Sequence, residues 1–82
     1  MFYTYILQSL TSNCYYIGSC DDIYNRLSQH NGGEVKSTKS STPWKLIYKE
    51  GFQTRSAAVK REQQLKSWKS RKALERLIKK HF

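Results

Sequence analysis

The 82-residue chain is short of most things that would mark a membrane, secreted or disulfide-built protein: it has one proline, four glycines, two cysteines and six carboxylates. Its longest apolar runs fall well below the roughly 20 residues a membrane-spanning helix needs, so the sequence reads as that of a soluble protein. It opens without a cationic start, a long apolar stretch and a small-residue cleavage site, so no secretory leader is expected and the cytoplasm is the expected location. Cys14 and Cys20 have no second pair to complete a zinc pattern or a disulfide framework, and both are expected as free thiols. The length allows one domain, residues 1–82, near the size at which a single core gives only a few kcal/mol of net stability.

The shortage of acid is the most informative. Fifteen Lys and Arg against six Asp and Glu leave a formal charge of +9, and the imbalance is local. Residues 55–80 carry ten cations and only two carboxylates, Glu62 and Glu75, whereas residues 1–34 carry one cation, Arg26. A one-sided field of this strength is the footprint of a nucleic-acid binder, because each neutralised phosphate releases condensed counterions. A merely solubilising surface is the competing account.

What the chain has in excess is tyrosine. The stretch YTYILQSLTSNCYYIG, residues 3–18, holds four of the six: Tyr3, Tyr5, Tyr15 and Tyr16. Two β-rich runs, 2–8 and 14–18, flank the turn-forming SLTSN and predict a hairpin. Alternation sets Tyr3 and Tyr5 on one face and parts Tyr15 from Tyr16, so at most three of these phenols share a face. Asp21 or Asp22 caps a helix over about 23–31, stopped by Gly32-Gly33. Ile23 and Leu27 form its apolar stripe, and Arg26 and His30 lie one turn apart beside it. A polar, basic loop over 34–42 leads to a third strand, WKLIYKEGF, starting after Pro43 and ended by Gly51.

Thr54 or Ser56 then opens a helix with Ala57, Ala58, Leu65 and Trp68 inward, broken near 67–70. Ser70 caps a last helix that buries Leu74, Leu77 and Ile78. The order β-β-α-β-α-α predicts an α+β domain with a small three-stranded antiparallel sheet and flanking helices. Glu62 breaks the pattern. It falls within its helix's apolar stripe and so needs a cation, several hydrogen-bond donors or a metal ion, with a salt bridge to Arg26 or a lysine as the plainest account.

Taken together, Tyr5-Ile6, the tripeptide Tyr16-Ile17-Gly18, DIYNRLSQHNGG, TPWKLIY and RSAAVKREQQLKSW resemble, in order and spacing, the GIY-YIG nuclease domain. The likeness covers nearly the whole chain and is closest to the small stand-alone bacterial members of the UPF0213 type. Its departures are the first tripeptide, here Tyr3-Thr4-Tyr5, Ser19-Cys20 after Gly18, and no asparagine anywhere beyond Glu62.

The resemblance implies a metal-dependent endonuclease that hydrolyses phosphodiesters. DNA chosen by structure rather than sequence, in a DNA-repair setting, is the expected substrate. It implies one Mg2+ or Mn2+ ion held by Glu62, with Arg26 stabilising transition-state charge and His30 positioning Tyr5 or assisting proton transfer. Tyr5 is the expected general base, its phenol pKa drawn down from about 10 by Arg26 and the metal. Tyr16 would orient water or phosphate, and the two tyrosine roles are exchangeable. Lys36, Thr38 and Lys39 in the loop, with Arg61, Lys66 and Lys69, are the expected phosphate contacts. The rival expectation is a nucleic-acid-binding module with weak or lost catalysis, acting with a protein partner. Tyr3 and Tyr15 are expected to pack, Trp44 and Trp68 to sit in or beside the core, and His81 to be inert.

Overall fold

Alternation along the first strand decides the architecture, because it sends apolar residues to both faces of a sheet that must therefore be covered on both sides. A computed structural model describes residues 1–80, and the expectation for His81 lies outside them. The elements are β1 (Phe2–Ser9), β2 (Tyr15–Cys20), α1 (Ile23–Asn31), a 3-10 turn (Lys39–Ser41), β3 (Trp44–Phe52), α2 (Arg55–Ser67) and α3 (Arg71–Lys80). The sheet is antiparallel in the order β2-β1-β3, with a register shift between Ile6 and Leu7 against β3. The α+β class and the β-β-α-β-α-α order are as the sequence predicts.

Two core clusters occupy the two faces. Tyr5, Leu7, Cys20, Ile23 and Trp44 pack on the α1 side, joined by Tyr3, Tyr16 and Leu27. Ile6, Ile17, Tyr48, Leu65 and Leu74 pack on the α2–α3 side, joined by Tyr15 and Trp68. Three of the four crowded tyrosines thus share the α1 face, the most that alternation permits. Both cysteines are free, Cys14 exposed and Cys20 buried.

Side-chain caps set the helix starts. Asp22 accepts from the Asn25 amide at 3.1 Å, Thr54 from Ala57 at 3.2 Å and Ser70 from Ala73 at 3.2 Å, which settles the two open choices for Asp22 and Thr54. The third strand runs through Gly51 to Phe52, where it pairs with Phe2. Asn31 ties the end of α1 to β3 by exchanging two hydrogen bonds with the Trp44 backbone, at 2.6 and 3.0 Å. On the other face the Thr4 hydroxyl donates to the Ala58 carbonyl at 2.7 Å, fixing α2 across β1.

Arg61, expected as a phosphate contact, has partners within the fold. Arg61 grips Glu50 of β3 with Nε at 3.2 Å and Nη2 at 3.0 Å, and its guanidinium carbon lies 5.7 Å from the centre of the Trp68 ring. Glu50 also accepts from the Tyr48 hydroxyl, whose pKa is pushed up to about 12 by burial and by that carboxylate. Arg61 and Glu50 keep only 22% and 24% of their side-chain exposure, so the arginine holds α2 to β3. Arg61→Ala should therefore lower stability by about 1–3 kcal/mol, the cost of leaving a half-buried carboxylate unpaired. Chemical denaturation beside oligonucleotide binding checks this, and loss of affinity without loss of stability would contradict it.

Candidate active site

The strand register places Tyr5 directly opposite Gly18. A Cβ built on Gly18 would lie 2.5 Å from Tyr5 Oη and 3.1 Å from Tyr16 Cε2, so only glycine lets the first phenol lie flat across the second strand. Tyr5 Oη then meets His30 Nε2 at 3.1 Å, and His30 Nδ1 meets Thr38 Oγ1 at 2.8 Å. Thr38 Oγ1 donates its own proton to the Val35 carbonyl at 3.3 Å, so it accepts from His30 Nδ1–H. That assignment leaves His30 Nε2 with a lone pair facing Tyr5, whose hydroxyl donates to it. The Tyr16 ring stands edge-on to His30, with centroids 4.9 Å apart, and closes the chain of rings against Trp44.

Thr38, also expected as a phosphate contact, is placed elsewhere by the fold. It is fully buried, its hydroxyl is taken up by His30 and Val35, and its carbonyl accepts from the Trp44 indole at 2.9 Å. It orients the histidine and has no surface to offer a phosphate. Its loop neighbours Lys36 and Lys39 are exposed, as are Lys66 and Lys69 of the second basic segment.

The electrostatics of Tyr5 also differ from expectation. Burial pushes its pKa up to about 12, and the nearby Arg26 guanidinium only partly offsets this. The expected fall toward neutrality counted on Arg26 and a bound metal; with Tyr5 only 2% exposed, burial outweighs the arginine. Burial, and after it the positive field of Arg26, lowers the His30 pKa below its ordinary 6.5, so the imidazole is neutral at neutral pH.

Arg26 donates to Gln29 Oε1 at 3.0 Å through Nη1, while its Nε is buried and has no hydrogen-bond partner among the described residues. Arg26 as a residue lines a cleft of about 310 Å³ together with Ser19, Asp22, Asn25, Gln29 and Arg55 among others, which sets its positive charge beside space open to an anion. From the opposite helix layer, Glu62 reaches Ser19, one of the residues lining this cleft. Its Oε1 accepts from Ser19 Oγ at 2.7 Å, and its Oε2 from Lys66 Nζ at 2.6 Å. Ser19 is the residue through which the edge of β2 links the two sides.

Among the described residues, no group of three or more His, Cys, Asp or Glu side chains is placed to hold a metal ion. One carboxylate beside a hydroxyl fits a hard, largely hydrated cation such as Mg2+ or Mn2+, and does not fit a zinc-type site.

The roles of Thr38 and Ser19 were missed from sequence. Ser19 carries a usable signal, since alternation from Ile17 puts it on the α2 face, but Thr38 follows His30 by eight residues across a turn and no periodicity links them.

The GIY-YIG catalytic domain family matches the chain over residues 1–82. A UPF0213 protein of Haloquadratum walsbyi is 40% identical over 67 residues, covering 80% of this chain and 74% of its own. One from Staphylococcus saprophyticus is 38% identical over 73 residues, covering 88% of both. The fold is similar to the solution NMR structure of a UPF0213 protein from Bacillus halodurans, at a TM-score of 0.60 and 28% identity, over 96% of this chain and 84% of that one. No helix among the described residues is long and apolar enough to cross a membrane. With its paired tyrosines, the glycine that lets them meet, and the arginine and glutamate at the β2 edge, the chain belongs to the GIY-YIG nuclease family.

Proposed function

We propose that the protein is a single-metal endonuclease acting on nucleic acid, with DNA as its substrate and backbone shape rather than base sequence as its guide. The observation that carries this reading is the cleft-lining Arg26 guanidinium beside the Tyr5–His30–Thr38 hydrogen-bond chain. A scissile phosphate in the cleft pairs with Arg26, which then stabilises the charge that grows in the transition state. Tyr5 accepts a hydrogen bond from the attacking water. A phenol with a pKa near 12 is a poor free base, so the proton moves in concert: Tyr5 takes one from water as its own passes to His30 Nε2. Thr38 keeps the imidazole in the tautomer able to receive it. Glu62, with Ser19 steadying Oε1, would hold the Mg2+ or Mn2+ ion. A cation held there supplies charge neutralisation at phosphate oxygens and a lowered pKa for bound water.

One observation favours the alternative of a binding module with weak catalysis acting with a protein partner: Tyr5 is 2% exposed, so little of it faces a substrate. The purified protein, given branched, nicked, single-stranded and duplex DNA with Mg2+ or Mn2+, separates the two. We expect metal-dependent cleavage that varies with substrate shape, and affinity that falls by orders of magnitude between about 50 and 200 mM salt if about six phosphates are contacted. Salt-sensitive binding without cleavage on any substrate would leave the binding module as the function.

A further inference from the structure

We infer that Lys66 is an internal counter-cation that occupies Glu62 in the free protein and is drawn off by the nucleic-acid backbone, so that metal and nucleic acid bind cooperatively. The inference rests on the reading of Glu62 as the metal's carboxylate and adds to it a coupling between the two ligands.

Three observations carry it. First, both Glu62 oxygens already accept, Oε1 from Ser19 and Oε2 from Lys66 at 2.6 Å. An octahedral cation cannot take an oxygen that an ammonium holds so closely without facing that positive charge at short range. Second, the two partners are unequally placed. Glu62 retains 18% of its side-chain exposure and Lys66 51%, so the carboxylate is fixed while the ammonium is free to swing on its four-carbon stem. Third, Lys66 lies between two sites. It lines a groove of about 520 Å³ between β2 and the α2–α3 corner, together with Tyr16, Lys69 and Arg71. This groove has an apolar floor of Ile17, Leu65 and Leu74 and a cationic rim, which suits a phosphate-bearing strand that continues past Tyr16.

A phosphate entering the groove offers Lys66 a second anion, and its departure bares Glu62 Oε2. By linkage, a cation bound at Glu62 releases Lys66 toward phosphate by the same factor.

The test reads manganese binding, not turnover. Mn2+ affinity is measured by electron paramagnetic resonance in a Tyr5→Phe background, to hold cleavage off, with and without a DNA oligonucleotide. Glu62→Gln in the same background is subtracted to remove ions condensed on the DNA. Without DNA, Lys66→Met is expected to tighten Mn2+ binding at Glu62 about two- to fivefold, matching the strength of an exposed ion pair. With DNA, the Lys66-containing protein should gain a similar factor, and the Lys66→Met protein should gain little. Mn2+ binding that Glu62→Gln abolishes but Lys66→Met leaves unchanged or weaker would overturn the coupling and spare the metal site. Mn2+ binding indifferent to Glu62→Gln would overturn both.

Discussion

Replacing Glu62 with glutamine is expected to reduce cleavage by at least about 100- to 1,000-fold, the range lost when one preorganised charge-stabilising group is removed from an active site. Fold and binding should survive. The glutamine carbonyl still accepts from Ser19, and what disappears is a partly exposed pair four residues apart on one helix, worth about 0.5 kcal/mol. Affinity for nucleic acid should hold or rise slightly, because an anion beside the phosphates has gone. Cleavage assays beside salt-dependent binding and a thermal melt separate these effects. If the variant melts far below the parent, or cleaves normally, Glu62 is a structural ion-pair partner and the metal reading fails.

Tyr5→Phe should produce a loss of about 100- to 10,000-fold, the usual contribution of a positioned proton-transfer group. Its stability cost is not zero. The phenol is the partner of a fully buried imidazole nitrogen, so its removal leaves His30 Nε2 unsatisfied at about 1–3 kcal/mol. Phe at Tyr3 should leave the rate within a few-fold, since that ring packs beside the core with no part in the proton chain.

The parent's pH profile follows from the signs of the two shifts. His30 must be neutral to receive a proton, and its pKa lies below 6.5, so cleavage should be level through neutrality and fall only on the acid side of that value. Stability shares the direction. As pH falls through 6.5 the unfolded imidazole binds protons that the folded one refuses, and the fold weakens until the lowered folded pKa is passed. A rate that instead rose steadily from neutrality toward pH 10 would mean a free phenolate acts as the base, and the concerted transfer would be wrong.

The features legible in the sequence are those carried by short-range rules. Alternation placed Tyr3 and Tyr5 on one face and allowed one more phenol there, which packing shows to be Tyr16, and helix spacing set Arg26 and His30 one turn apart. Ser70 announced its helix outright, and the caps of the other two were narrowed to Asp21 or Asp22 and Thr54 or Ser56, because a cap acts within three residues. Three features stayed hidden because they belong to packing. Arg61 reads as one more cation in a basic helix until β3 brings Glu50 against it. Thr38 reads as a polar loop residue until the 34–42 segment folds under α1 and buries it. The pKa of Tyr5 depends on how much water reaches the phenol, and sheet and helix together decide that.

The sheet order β2-β1-β3 also has a meaning in time. The strand made first is the central one, and it needs partners on both sides. β2 reaches it through a short turn, but the pairing of Phe2 with Phe52 cannot form until some fifty residues have followed. A nascent chain leaving the ribosome can therefore make its hairpin early while one edge of β1 stays bare, inviting wrong pairing until β3 arrives. Tyr5 and Tyr16 would already be neighbours in that hairpin before the histidine and threonine that complete their hydrogen-bond chain have been made. The protein would thus emerge with its phenols in register well before Glu62 of α2 exists to join them.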